Sequence, residues 1–153
     1  MRGRLHSQSG MTLVELIVAT MIMAMLVTAV LPVVALVMRR EKERELRRAV
    51  WEMRDAIDRY KDAADKGNFE TQIGSEGYPP DLETLVNGVN EGGRLKVRFL
   101  RRIPLDPMTH KAEWGMHSVT DDPDSDSWGG QNVFDVYSKS DGTALDGTKY
   151  REW

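Results

Sequence analysis

The sequence of 153 residues lacks cysteine entirely and has three histidines. A disulfide framework, a thiolate metal site and a cysteine nucleophile are therefore excluded. No nucleophile is paired with a base in a catalytic pattern, and no glycine-rich phosphate loop is present. These absences argue against an enzyme. A small domain without disulfides often needs another source of stability, such as a bound ion or neighbouring subunits.

The best histidine-based candidate for a metal site is the set His110, Glu113 and His117. These residues flank a predicted turn and strand with Gly115 between them, so no helix places them on one face. The zincin pattern is also absent. We therefore expect neither zinc binding nor catalysis at these residues.

Charge is missing from the whole of residues 16–38. As a helix, this run is about 34 Å long at ~1.5 Å per residue, enough to cross a hydrocarbon core of ~30 Å. The run predicts a single membrane anchor. Pro32 lies inside it and removes one backbone hydrogen bond, so we expect the helix to kink or loosen near Thr28.

The remaining charges are distributed unevenly. Residues 1–66 hold 12 Lys or Arg and 9 acidic residues, whereas residues 67–153 hold 9 Lys or Arg and 15 acidic residues. The second part is therefore strongly acidic, which argues against a nucleic-acid partner.

The anchor is preceded by the sequence GMTLVEL at residues 10–16, behind a leader that carries Arg2 and Arg4. These residues resemble the processing site of type IV pilin-like proteins, which is Gly, then Phe or Met, then Thr-Leu-x-Glu. The resemblance implies cleavage by prepilin peptidase between Gly10 and Met11, N-methylation of Met11, and a role for Glu15 in assembling subunits. An alternative is that Glu15 is simply an acidic residue favoured at a helix N-terminus.

A second pattern follows the anchor, in residues 39–66. Apolar residues recur there at alternating spacings of four and three, which predicts one face of an amphipathic helix: Leu46, Val50, Met53, Ile57, Tyr60 and Ala64. Because no breaker separates the anchor from this stripe, we expect one helix over residues 12–66, ended by Gly67 and Asn68. The stripe suits packing on a small sheet better than a coiled-coil seam.

The globular part contains several short elements. Asp81 is placed to cap a short helix whose Leu82, Leu85 and Val86 face the core. Residues 95–99 predict a short strand or helical turn. The best strand candidates are residues 113–119 and residues 131–138, where Phe134 and Val136 alternate with Val133, Asp135 and Tyr137.

The sequence FLRRIPLDPMT at residues 99–109 resembles the Leu-x-x-Ile-Pro-x-Asp-Pro element of the major pseudopilin of type II secretion systems. This resemblance implies an α+β pilin-like fold, in which one long N-terminal helix packs on a small C-terminal antiparallel sheet. It also implies a structural subunit of a periplasmic pseudopilus. The alternatives are a type IV major pilin of a surface fibre and, less in keeping with the motifs, a membrane-tethered binding module.

The same resemblance implies a domain layout. Residues 1–10 are the leader, 11–38 the membrane-spanning and filament-core helix, 39–66 the amphipathic helix, and 67–153 the periplasmic globular domain. The implied partners are further copies of the chain in a helical filament, prepilin peptidase, minor pseudopilins and the inner-membrane assembly platform. The precursor is expected to cross the inner membrane once. Positive charge at residues 39–44 would favour the reverse orientation, but the leader must face a cytoplasmic peptidase.

Seven aspartates and one basic residue lie between residues 121 and 146, which suits a hard cation such as calcium. Asp122, Asp124 and Asp126 have the spacing of an EF-hand, but the required glycine and bidentate glutamate are missing. The pseudopilin resemblance instead implies a structural calcium at Asp141 and Asp146, with the Ser138 backbone as a possible further ligand. The alternative is two exposed Asp-Gly turns.

Overall fold

The computed structural model describes residues 12–90, 92–93, 96–122, 125 and 127–153, without the side chains of Ala29 and Leu31. The long helix α1 spans Leu13–Asp65 and the short helix α2 spans Leu82–Asn87. Four strands follow: β1 Val89–Asn90, β2 Lys96–Val97, β3 Trp114–His117 and β4 Asp135–Ser138. A 3₁₀ turn, Tyr150–Glu152, comes last. The predicted α+β arrangement, consistent with a pilin-like fold, is confirmed.

Helix α1 begins and ends where the local sequence predicts. The backbone N–H of Glu15 donates to Thr12 Oγ1 at 3.2 Å, so Thr12 caps the first turn. At the other end, Gly67 adopts a φ of 72°. Its N–H donates to the Ala64 carbonyl, and the N–H of Asn68 donates to the Ala63 carbonyl, which is the Schellman pattern.

Pro32 lies within α1, and the residues on both sides of it are helical. Thr28, one turn earlier, donates its hydroxyl to the Met25 carbonyl at 2.8 Å. The kink expected near Thr28 stays a prediction.

The chain divides into two compact units, residues 1–39 and residues 40–153. In the first unit, the described apolar side chains of α1 are exposed. In the second unit, the predicted stripe is buried except at Ala64, which is partly exposed, and Leu46, Met53 and Ile57 are fully inaccessible. This stripe packs against the other buried apolar residues of the unit: Leu82, Leu85, Phe99, Leu100, Trp114, Val133, Val136, Ala144 and Tyr150.

The short helix α2 confirms the predicted cap. The Asp81 side chain accepts hydrogen bonds from the backbone N–H and the hydroxyl of Thr84, both at 2.7 Å. Leu82 and Leu85 are buried and Val86 packs at the edge of the core. Gly88 ends the helix with a φ of 76°, which glycine adopts at little cost.

The strands form two separate antiparallel pairs among the described residues, β1 with β2 and β3 with β4. In the second pair, Gly115 faces Tyr137 and His117 faces Asp135. The strands predicted over 113–119 and 131–138 are therefore confirmed in position, but each is four residues long.

The predicted alternation is confirmed within β4, where Val136 is buried and Asp135 and Tyr137 are partly exposed, but it was wrong for Val133 and Phe134, which precede the strand. Val133 and Val136 are both buried, whereas Phe134 is exposed. The reason is that bonding to β3 stops at Phe134, whose N–H donates to the His117 carbonyl, whereas the Val133 N–H donates to the Pro79 carbonyl at 2.8 Å. Asn132, fully buried, also binds outside the strand pair, donating to the Ser75 carbonyl at 3.2 Å.

Candidate functional site: the apolar helix start and the C-terminal loop

The first candidate site is the start of α1. Glu15 stands in the first turn of α1 and is exposed. The apolar side chains that follow it are also exposed, for example Met21 at 69% and Met25 at 77%. Within the described residues, this helix is long and apolar enough to cross a membrane by length and composition. The predicted cleavage residues Gly10 and Met11 lie outside the described residues.

A carboxylate in this position has two physical interpretations, and the geometry is compatible with both. In the first turn, Glu15 lies at the positive end of the helix dipole, worth about 0.3 to 1 kcal/mol at an exposed site. An unpaired carboxylate costs roughly 2.5 kcal/mol or more at the bilayer centre and less towards the lipid boundary, and this cost favours pairing with a cation of another chain. The assembly role of Glu15 therefore stays a prediction.

The second candidate site is the C-terminal loop, residues 139–149, which contains Asp141 and Asp146. Its backbone closes on itself: the Ala144 N–H donates to the Thr148 carbonyl at 2.7 Å, and Thr143 pairs with Lys149. Asp141 is exposed at the start of the loop.

Asp146 has partners on both carboxylate oxygens. Its Oδ1 accepts from the N–H of Thr148 at 3.0 Å and from the Thr148 hydroxyl at 2.6 Å. Its Oδ2 accepts from the Arg47 guanidinium at 3.3 Å. The pKa of Asp146 is lowered, chiefly by the hydrogen bonds from Thr148, with a smaller contribution from the charge of Arg47.

These contacts do not suit a calcium ion at Asp146. Calcium takes about 6 to 8 oxygen ligands, and Asp146 already shares its oxygens with Thr148 and a guanidinium cation. Ser138 was named for this site through its backbone; its side-chain hydroxyl donates to Asp106 Oδ2 at 2.6 Å, a contact that leaves the predicted backbone ligand untested. Within the part of the chain that the structure describes, no three His, Asp or Glu side chains are grouped to hold a metal. Calcium at this loop stays a prediction without support from the donor arrangement.

The acidic connection between β3 and β4 is partly outside the described residues, because Asp124 and Asp126 are not described. Asp121 in this connection binds backbone, accepting from the N–H of Ser118 at 2.8 Å and of Gly129 at 2.9 Å. These two hydrogen bonds lower the pKa of Asp121 below its ordinary value of 3.8. Asp121 therefore serves as a turn-stabilising carboxylate.

The three residues considered for zinc are engaged separately. His117 stacks on Tyr137 with ring centroids 4.6 Å apart, and its Nε2 lies 2.8 Å from the Ser125 carbonyl. His110 Nε2 lies 3.5 Å from Lys42 Nζ, and Glu113 is exposed. The structure therefore does not bring these three side chains together, and the absence of zinc stays a prediction.

Two structurally important acids were missed by the sequence reasoning. Asp106 is fully buried, and its Oδ1 accepts from the Met108 N–H at 2.7 Å while Oδ2 accepts from Ser138. Glu43 reaches the C-terminal loop: its Oε1 accepts from the Leu145 N–H at 2.9 Å and from the Tyr150 hydroxyl at 3.0 Å. The position of Asp106 between Leu105 and Pro107 could have indicated a structural role. The sequence around Glu43 offers no such indication, because Glu43 resembles any charged residue of an amphipathic helix.

Comparison with known proteins adds one finding. The prokaryotic N-terminal methylation motif matches residues 5–31 of the chain. No curated protein and no solved structure matches the chain. The motif implies processing by prepilin peptidase and association with a membrane, and the apolar start of α1 fits a membrane anchor. Motif and fold together support a type IV pilin-like protein.

Proposed function

We propose that this chain is a structural subunit of a pseudopilus filament in type II protein secretion. It is assembled through its N-terminal apolar helix after prepilin peptidase removes residues 1–10 and Met11 is methylated. The observation that carries the proposal is the methylation motif over residues 5–31, which runs directly into an exposed apolar helix. The resemblance of residues 99–109 to the major pseudopilin directs the proposal to secretion.

The charge at the helix start gives the assembly step a physical basis. Cleavage creates an amino terminus at Met11, four residues before Glu15. Opposite charges attract more strongly where water is scarce, so Glu15 of one subunit and the terminus of a neighbouring subunit stabilise each other at the lipid boundary. The exposed apolar side chains then pack against the same surface of other copies.

We expect replacement of Glu15 by Ala to abolish filaments while membrane insertion continues. Losing about 1.4 kcal/mol per contact weakens each association step tenfold. Filaments are counted by electron microscopy, and the mass of the mature chain reports cleavage and the added methyl group. Glu70→Ala is the matched control, because Glu70 is an exposed acid beyond α1.

Unchanged filament numbers in Glu15→Ala would contradict the assembly role. A chain that retains residues 1–10 and stays solitary in its membrane would contradict the whole proposal, and would favour a tethered binding module.

The kind of filament is decided in a deletion strain. Loss of protein secretion with surface fibres intact supports the pseudopilus. Loss of surface fibres with secretion intact would instead identify a type IV major pilin.

A further inference from the structure

We infer that Glu43 and Arg47 of α1 hold the C-terminal loop in place by direct contact, and that the loop needs no calcium ion. The pseudopilin resemblance assigns this task to a bound cation. The inference concerns the folding of residues 40–153 and does not depend on which filament the chain builds.

Glu43 joins two points of the C-terminal region. One carboxylate oxygen, Oε1, accepts the N–H of Leu145 within the loop and the hydroxyl of Tyr150 just after it. Hydrogen bonds to an ionised acceptor are about twice as strong as neutral ones. The ring of Tyr150 is itself buried and packs edge-on against Trp153, with ring centroids 5.3 Å apart. Glu43 therefore connects the loop at Leu145 with the buried Tyr150 and with α1.

Arg47 lies one helical turn after Glu43 and reaches the same loop. Its guanidinium binds Asp146 Oδ2 at 3.3 Å and covers the Trp153 ring at 3.9 Å from the ring centroid. A cation is thus already present beside the carboxylate that the resemblance gives to calcium. Binding a divalent ion to Asp146 would bring it close to the positive charge of Arg47, which is unfavourable.

Three backbone carbonyls of the loop also accept hydrogen bonds from within the C-terminal region. The Thr148 carbonyl accepts from Ala144, the Gly142 carbonyl accepts from Tyr150, and the Ala144 carbonyl accepts from Gly147. These bonds shape the loop, and the contacts of Glu43 and Arg47 attach it to α1. Together they supply the order that a calcium ion would otherwise impose on a flexible loop.

The test compares Glu43→Ala with Glu41→Ala in the full chain purified from membranes in detergent. Both changes place Ala at a helical position. Glu41 differs in being exposed, and its ion pair among the described residues is with Arg44 at 3.4 Å on the same helix. We expect the unfolding temperature of residues 40–153 to fall by about 4 °C or more in Glu43→Ala, the shift that ~1 kcal/mol gives in a domain of this size. Glu41→Ala is expected to stay near the parent value.

Tyr150→Phe removes one donor to Glu43 and keeps the buried ring. The double variant Glu43→Ala/Tyr150→Phe is expected to unfold at a temperature close to that of Glu43→Ala alone, because the two residues share one interaction. Fully additive shifts in the double variant would overturn the inference.

Calcium is tested on the same samples. We expect the parent chain to unfold at the same temperature with excess calcium and with a chelator. A rise on adding calcium, or a fall with the chelator, would overturn the inference whatever the variants do. Equal unfolding temperatures for Glu43→Ala and Glu41→Ala would overturn it as well.

Discussion

At the scale of single residues, Arg54 donates three hydrogen bonds that join distant parts of the chain. Its Nε donates to Asp135 Oδ1 at 2.6 Å, and one terminal nitrogen donates to Asp135 Oδ2 at 3.0 Å and to the Trp153 carbonyl at 2.7 Å. The planar guanidinium matches the carboxylate with two parallel bonds. Arg54 thereby connects α1 to the start of β4 and to the end of the C-terminal segment.

We expect Arg54→Lys to destabilise the globular part by about 1 kcal/mol, because an ammonium group does not reproduce the fork. The estimate is modest because the side chains of Arg54 and Asp135 are 38% and 33% exposed, so water screens the pair. Denaturant unfolding measures the loss. Arg44→Lys is the control, since Arg44 pairs with Glu41 at the surface, and its change should stay within ~0.5 kcal/mol. Equal effects for the two variants would contradict the role of Arg54.

Asp121 makes the stability of the folded chain depend on pH. Because the N–H groups of Ser118 and Gly129 hold its pKa below the ordinary value, the folded state binds the proton less readily than the unfolded state. The stabilisation is therefore fully present above the ordinary pKa of an aspartate and is lost as the pH falls through the lowered value.

We expect the Gly129 amide signal in an NMR titration to move at a pH below the range where free aspartates titrate. The movement should disappear in Asp121→Asn, which keeps the shape of the side chain but does not titrate. A midpoint at or above the ordinary pKa would contradict the assignment of these hydrogen bonds.

At the scale of elements, the sequence predicts an element well when the residues that determine it are close together in the chain. Helix α1 was predicted over residues 12–66 because an apolar run and a periodic stripe follow each other without a breaker and a glycine comes directly after them. Helix α2 was predicted from Asp81 for the same reason. The burial of Val133 and exposure of Phe134 before β4 were not predicted, since Asn132 and Val133 bond to Ser75 and Pro79, more than fifty residues earlier.

The pair of β3 and β4 depends on a glycine. Gly115 faces Tyr137 across the strands, and a Cβ atom at Gly115 would overlap the Tyr137 ring. The same ring stacks on His117. The absence of a side chain at position 115 therefore gives the aromatic ring a place to lie across the sheet.

We expect Gly115→Ala to destabilise the globular part by about 1 to 3 kcal/mol, the usual range for overpacking. Thermal unfolding followed by circular dichroism measures the change. In the double variant Gly115→Ala/Tyr137→Ala, the removed ring leaves space for the new methyl group, so the combined loss should be smaller than the sum of the two single losses. Simple additivity would show that the ring is not the obstacle.

At the scale of the whole molecule, the two candidate sites differ in how far the sequence reveals them. The motif at residues 10–16 is a contiguous signal and is supported by the match over residues 5–31. The calcium assignment at Asp141 and Asp146 came from resemblance and composition. The composition of the loop shows its aspartates. It does not show that Glu43 and Arg47 of α1, about a hundred positions earlier, contact the same loop.

The buried stripe of α1 has a further consequence for how the globular part opens. Five residues of the stripe, with Ala49 and Ala56 beside them, give α1 seven of the sixteen buried apolar residues of the described core, whereas the four described strands are two or four residues long. Amide hydrogen exchange should therefore be slowest in α1 around Met53 and Ile57, where protons are released through global unfolding. The amides of the two-residue strands β1 and β2 should exchange through local opening, which requires far less free energy than global unfolding. Mass spectrometry of deuterated peptides measures this order, and strands that outlast the helix would show that the core is organised around the sheets instead.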